Sequence, residues 1–187
     1  MTSMIRFLLL ILFSVALAGC GKQATYTYLI KNPGLLKQQL TKCQAQGKSA
    51  MNDATCRDAI VVAKVLNDYV ALQDQYKQQL TQDRQTLMSM QASGEKTPIE
   101  QSTLNNFNSL MFNVQAGFAK KIMAAETRLS KLKQALIKTQ QTLREGKFSG
   151  AKQKRIASNI VQLKNAISLQ EQVINAMYAM LNLASPE

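Results

Sequence analysis

The chain has 187 residues, 46% hydrophobic and 18% charged, which is material for a folded core rather than for a disordered segment. Histidine and tryptophan are absent, glycine numbers 8 and cysteine 3, leaving little for a histidine-based catalytic site, a glycine-rich nucleotide loop or an ordinary zinc site. Lysine and arginine exceed aspartate and glutamate 23 to 11, and the resulting +12 favours anionic partners without specifying a fold.

The first element in chain order is an address. Residues 1–20 carry one charge, Arg6, then an apolar run from Phe7 to Leu17, then small residues before Cys20. This is the layout of a secretory signal, and the run is far shorter than the roughly 20 residues that a membrane span requires. The boundary Leu17-Ala18-Gly19-Cys20 resembles the lipobox of bacterial lipoproteins. That resemblance implies removal of residues 1–19, acylation of Cys20 and tethering in the cell envelope facing the periplasm. Gly21, where an aspartate would retain the protein, implies the outer membrane rather than the inner.

In an oxidising compartment the remaining Cys43 and Cys56 read as a disulfide. A thiol or metal pair is the alternative, with neither a histidine nor a Cys-x-x-Cys spacing to support it. Asn32 and Pro33 form a helix start, and Leu36, Leu40 and Cys43 recur on one face of a short helix. Past Gly47 a loop follows, with Asn52 or Asp53 as the next cap, so the bridge is expected to join the end of one helix to the start of another.

Tyr28, Asn32-Pro33, Leu36, Leu40, Cys43, Cys56 and Ala59, directly after a lipoprotein signal, resemble the EexN-type entry-exclusion lipoproteins of conjugative elements. The likeness spans residues 26–66. Gln44-Ala45-Gln46-Gly47 stands where that family carries a Pro/Gly turn, and Thr55-Cys56 stands in place of its Asn-Cys dipeptide. The resemblance implies exclusion of redundant conjugative transfer, through contact with a protein of the transfer apparatus.

From Asp53 to Gln91 neither glycine nor proline intervenes. Val62, Leu66, Tyr69, Tyr76, Leu80, Leu87 and Met90 follow a three-four alternation with polar gaps at Gln73 and Asp83, which predicts one long helix. Ser93-Gly94 breaks it, and Thr97-Pro98-Ile99-Glu100 joins a capping box to a proline at the first helical position, starting a helix that runs to Arg144. A last helix is predicted from Ala151 to about Ala184.

The two final helices carry matching seams. Phe118, Ile122, Ala125, Leu129, Leu132, Leu136, Thr139 and Leu143 alternate by four and three, as do Ile156, Ile160, Leu163, Ile167, Gln170, Ile174, Met177, Leu181 and Ala184. Reflected across Gly146–Gly150, Leu136 faces Leu163 and Ala125 faces Ile174, which describes an antiparallel helical hairpin. Near Gly117 two successive steps of four predict a stutter. The expected fold is all-α: an elongated antiparallel three-helix bundle with a short, disulfide-tethered N-terminal helix. Its divisions are the signal at 1–19, a lipidated tether and disulfide cap at 20–56, and the long-helix bundle at 57–187. The string Lys-Gln-Gln-Leu-Thr recurs at 37–41 and 77–81 without matching surroundings, as chance allows in a chain with 21 glutamines.

Arg144, Lys147, Lys152, Lys154 and Arg155 crowd the expected hairpin tip and form a candidate contact surface for anionic lipid, acidic glycan or an acidic protein. The ordinary alternative is a solvated face. Phe148 is the one aromatic residue there, so nucleic-acid binding is not expected. Asp53, Asp58, Asp68, Asp74 and Asp83 read as a solvated helix face without a nearby nucleophile, and no catalytic, cofactor-binding or metal-ligating residue is nominated. The expected role is therefore non-enzymatic: a lipid-anchored envelope protein acting by contact. A structural lipoprotein of an envelope or type IV secretion assembly, and a binder of anionic lipid or glycan through the basic tip, are the alternatives.

Overall fold

The computed structural model describes residues 25–93, 98–146 and 148–184, and among them the protein is all-helical without a strand. A helix over residues 25–31 (α1) precedes α2 (Pro33–Gln46), a 3₁₀ turn (Gly47–Asn52), α3 (Ala54–Asp74), α4 (Lys77–Ser93), α5 (Pro98–Glu145) and α6 (Gly150–Ala184). The expected signal and lipobox with Cys20, and Thr97 of the expected capping box, lie outside the described residues.

Local chemistry sets most of these boundaries. Pro33 occupies the first turn of α2, but Asn32 makes no cap bond to it; its side-chain amide instead donates to the Tyr28 carbonyl at 2.8 Å. The expected N-cap therefore closes the preceding helix. Gly47 ends α2 at φ +57°, where a side chain is strained, and the expected loop after it is wound into the 3₁₀ turn. Asp53 caps α3, accepting from the backbone N–H groups of Thr55 at 2.7 Å and Cys56 at 3.2 Å. The Cys56 and Thr55 bonds, in that order, hold its carboxyl below the usual carboxylate range.

The single helix expected from Asp53 to Gln91 is two. At the junction the Tyr76 N–H bonds the Gln73 carbonyl at 2.9 Å, an i→i−3 contact that tightens the chain without a glycine or proline. The two halves have different neighbours: α3 packs on both α5 and α6, whereas α4 packs on α5. Both run antiparallel to α5. Tyr69 meets Phe118 edge-on at 5.1 Å between centroids, Asp68 pairs with Lys121 at 3.6 Å, and further along Asn106 donates to Asp83. At Gly117, where a stutter is expected, α5 stays helical and Leu72 of α3 lies 3.4 Å from where a Cβ would be, so the glycine serves close helix approach.

The core lies where α3, α5 and α6 converge. Ala59, Val61, Val62, Val65 and Tyr69 pack with Val114, Phe118 and Ile122 and with Ala176, Met177 and Ala179, all buried. Tyr26 and Leu29 of α1 and Leu36 of α2 belong to the same cluster. The expected division between a cap ending at 56 and a bundle starting at 57 is therefore not a packing boundary. Cys43 and Cys56 are bonded, with Cα atoms 5.5 Å apart, joining the end of α2 to the first turn of α3.

Helix α6 runs antiparallel to α5. Gln115 reaches the Ala184 carbonyl, Tyr178 donates to Glu126 at 2.7 Å and Lys133 pairs with Glu171 at 2.8 Å. Past Ile122 on α5 and before Ile174 on α6, no described residue of either helix is buried, and the seam leucines and isoleucines are half-buried. Two helices cannot enclose their own seam. Residues 165–172 of α6 still face Met51, Asn52 and Arg57; beyond them the two helices continue as a prong projecting from the core.

Candidate functional site: a basic helical prong

The prong is where the charge collects. Residues 127–164 contain ten lysines and arginines and one acid, Glu145. Arg144, Lys152, Lys154 and Arg155 are exposed at or beside its tip, on the last turn of α5 and the first turns of α6; Lys147 lies outside the described residues. The tip closes over an aromatic ring: a Cβ at Gly146 would fall 2.0 Å from Phe148, so the glycine makes room for the ring. Lys152 places its Nζ 4.6 Å from the Phe148 centroid, a cation–π contact that holds one cation on the tip. A shallow depression beside it is lined by Ser149, Lys152, Arg155 and Asn159. These groups offer many donors and fixed positive charge, suited to a broad anionic surface rather than to one small ligand.

Of the aspartates expected on a solvated face, Asp74 is exposed, Asp53 and Asp68 are half-buried, and Asp58 and Asp83 are buried. Asp68 and Asp74 are in ion pairs with Lys121 and Lys77, and Asp53 is a cap. Asp83 accepts from Gln79 at 2.9 Å as well as from Asn106, which compensates the polar gap noted in the seam. Asp58 accepts from the Tyr26 hydroxyl at 3.2 Å. The Tyr26 and Asn106 partners stand 32 and 23 residues away in the chain, where periodicity does not reach.

Burial, followed by the charge of Asp58 and the bond to it, pushes the Tyr26 hydroxyl well above the ordinary tyrosine range. A raised folded-state value contributes stability that is complete below about pH 10 and is lost as pH climbs from there toward the folded value. Tyr26→Phe is expected to cost about 1–2 kcal/mol at neutral pH and to flatten the alkaline loss. Urea denaturation at pH 8 and pH 11 on both forms checks this; equal pH slopes would assign the alkaline loss to other groups.

A second concavity escaped the sequence reading because its walls come from segments a hundred residues apart. Met51, Asn52 and Arg57 face Asn165, Ser168, Leu169 and Gln172 of α6 around about 430 Å³. The Arg57 Nε and Gln172 Oε1 atoms are buried there without hydrogen-bond partners. Among the described residues no cluster of three or more histidine, cysteine, aspartate or glutamate residues is placed to hold a metal ion, and no helix is long and apolar enough to cross a membrane. No family model, curated protein or solved structure matches the chain.

Proposed function

We propose that the chain is a lipid-anchored envelope protein, acylated at Cys20 and facing the periplasm, that acts by protein contact rather than by catalysis. Its specific role on this reading is exclusion of redundant conjugative transfer. The observation that carries the anchoring is Leu17-Ala18-Gly19-Cys20, set directly after the apolar run Phe7–Leu17. The resemblance of residues 26–66 to the EexN-type lipoproteins supports the exclusion role, with the contact surface in the disulfide-bonded segment around Tyr28 to Cys56. Tyr28 is exposed, as a contact residue needs to be. The scaffold on this reading is an elongated antiparallel three-helix bundle in which α3 and α4 together act as one composite helix, extended by the hairpin prong.

Expression in a recipient cell is expected to lower uptake of the related conjugative element and leave an unrelated one unaffected. Cys20→Ser, which removes the tether, is expected to lose most of that effect. Plating transconjugants from matched donors reads both outcomes. Equal uptake of both elements with and without the protein would leave the alternative, a structural lipoprotein of an envelope or secretion assembly, whose deletion instead disturbs assembly of its parent complex.

A further inference from the structure

The chain doubles back between α1 and α2. Tyr26 and Cys43 are 17 residues apart, about 25 Å along a continuous helix, yet Tyr26 bonds Asp58 and Cys43 bonds Cys56 in the first turns of α3. The reversal falls at Asn32, whose φ of −121° and ψ of 71° leave the helical region. The start of α1 is thus brought back to the N-terminal end of α3.

That end of α3 faces the prong. Asp68 pairs with Lys121, and α3 runs antiparallel to α5. Arg57, 11 residues earlier in α3, therefore lies about 16 Å nearer the prong tip than Asp68 does. From Lys121 to Glu145 α5 continues for 24 residues, about 36 Å, so the tip stands about 20 Å beyond the point where α1 begins. The six residues from Cys20 to Thr25 reach at most about 20 Å. The start of α1 and the basic tip lie on the same side of the core, and the length of chain from Cys20 to Thr25 is comparable with the distance between their levels.

We propose that the prong is a second membrane contact, its basic tip docking on the anionic phospholipid headgroups of the leaflet that holds the acylated N-terminus. The ten-to-one charge excess over residues 127–164 supplies the attraction. Arg144, Lys152, Lys154 and Arg155 meet the headgroups, and Phe148 sits at the interface beneath Lys152. Two contacts on either side of the first turns of α3 hold the core at a fixed tilt and height, where a flexible tether alone leaves it free to swing. The shared leaflet rests on the anchoring reading above; the affinity of the tip for anionic headgroups does not.

The absence of tryptophan provides the probe. In the full mature chain, the emission of a Phe148→Trp variant is expected to shift to the blue and be quenched by brominated lipid in vesicles containing about one quarter phosphatidylglycerol. Vesicles of phosphatidylcholine alone are expected to leave it unchanged, and about 0.5 M salt is expected to reverse the shift. In parallel, the acyl-free Cys20→Ser chain is expected to sediment with the anionic vesicles. Each basic residue changed to glutamine should weaken that binding about fivefold, and the four together a hundredfold or more, with helical content unchanged because all four are exposed. The mass of the N-terminal peptide reads acylation separately. No acyl group alongside intact sedimentation would end the anchoring reading and keep the docking. Emission and sedimentation both indifferent to phosphatidylglycerol would overturn the docking whatever the acyl state, and would turn the tip toward an acidic protein.

Discussion

Phe118→Ala is expected to cost about 3–5 kcal/mol of folding stability, while Leu136→Ala costs about 1–2 kcal/mol. Both residues lie on one seam of α5 and differ in what closes over them. Phe118 is fully buried, its ring edge-on to Tyr69 of α3, with α6 completing the enclosure. Truncation removes the ring from a site walled by three helices that cannot collapse onto the gap, so a cavity term adds to the lost transfer energy. Leu136 lies on the prong, half-buried between two helices, where water already reaches the seam and a neighbour can lean in. Urea denaturation of the two variants, with the m-value compared to detect any change in the unfolded state, checks the contrast. Equal losses would mean that the prong is covered in solution, for example by a second copy of the chain.

The difference between those positions also marks what the sequence makes legible. The start of α5 at Pro98 and the turn between Glu145 and Gly150 are local signals, a proline at a first turn and a glycine-bounded connection, and both are where periodicity expects them. The basic tip is legible for the same reason, since its charges are neighbours in the chain. The break at Gln75–Tyr76 is not, because no residue there forbids a helix. A tighter i→i−3 bond separates a segment that packs on α5 and α6 from a segment that packs on α5. Burial of Asp58 and Asp83 depends on Tyr26 and Asn106, 32 and 23 residues away, and no local pattern announces such partners. Helix α1 is short and holds its place by sinking Tyr26 and Leu29 into a core made by later residues.

Removing both Cys43 and Cys56 is expected to lower stability by about 3 kcal/mol, the entropy model's value for a closed loop of this length, in one cooperative transition. Periodicity alone separates the disulfide segment from the long helices, and on that view the double variant loosens residues 26–56 and spares the rest. The shared core argues otherwise. Tyr26, Leu29 and Leu36 are buried among Val62, Val65 and Phe118, so undocking α1 and α2 opens one side of the cluster that holds α3 on α5 and α6. Burying each of those side chains is worth about 1.5–3 kcal/mol, offset by the cost of ordering roughly twenty residues. The bridge shifts that balance by restricting the free segment before it docks. Thermal unfolding of the double variant followed at once by far-UV circular dichroism and by tyrosine fluorescence, with Tyr26→Phe in the same background to identify the share of the five tyrosines' signal that comes from Tyr26 of α1, decides the matter. Coincident curves at a lowered midpoint are expected. A tyrosine change that precedes the loss of helix would show that α1 and α2 fold as their own unit, and that the core buried by α3, α5 and α6 stands without them.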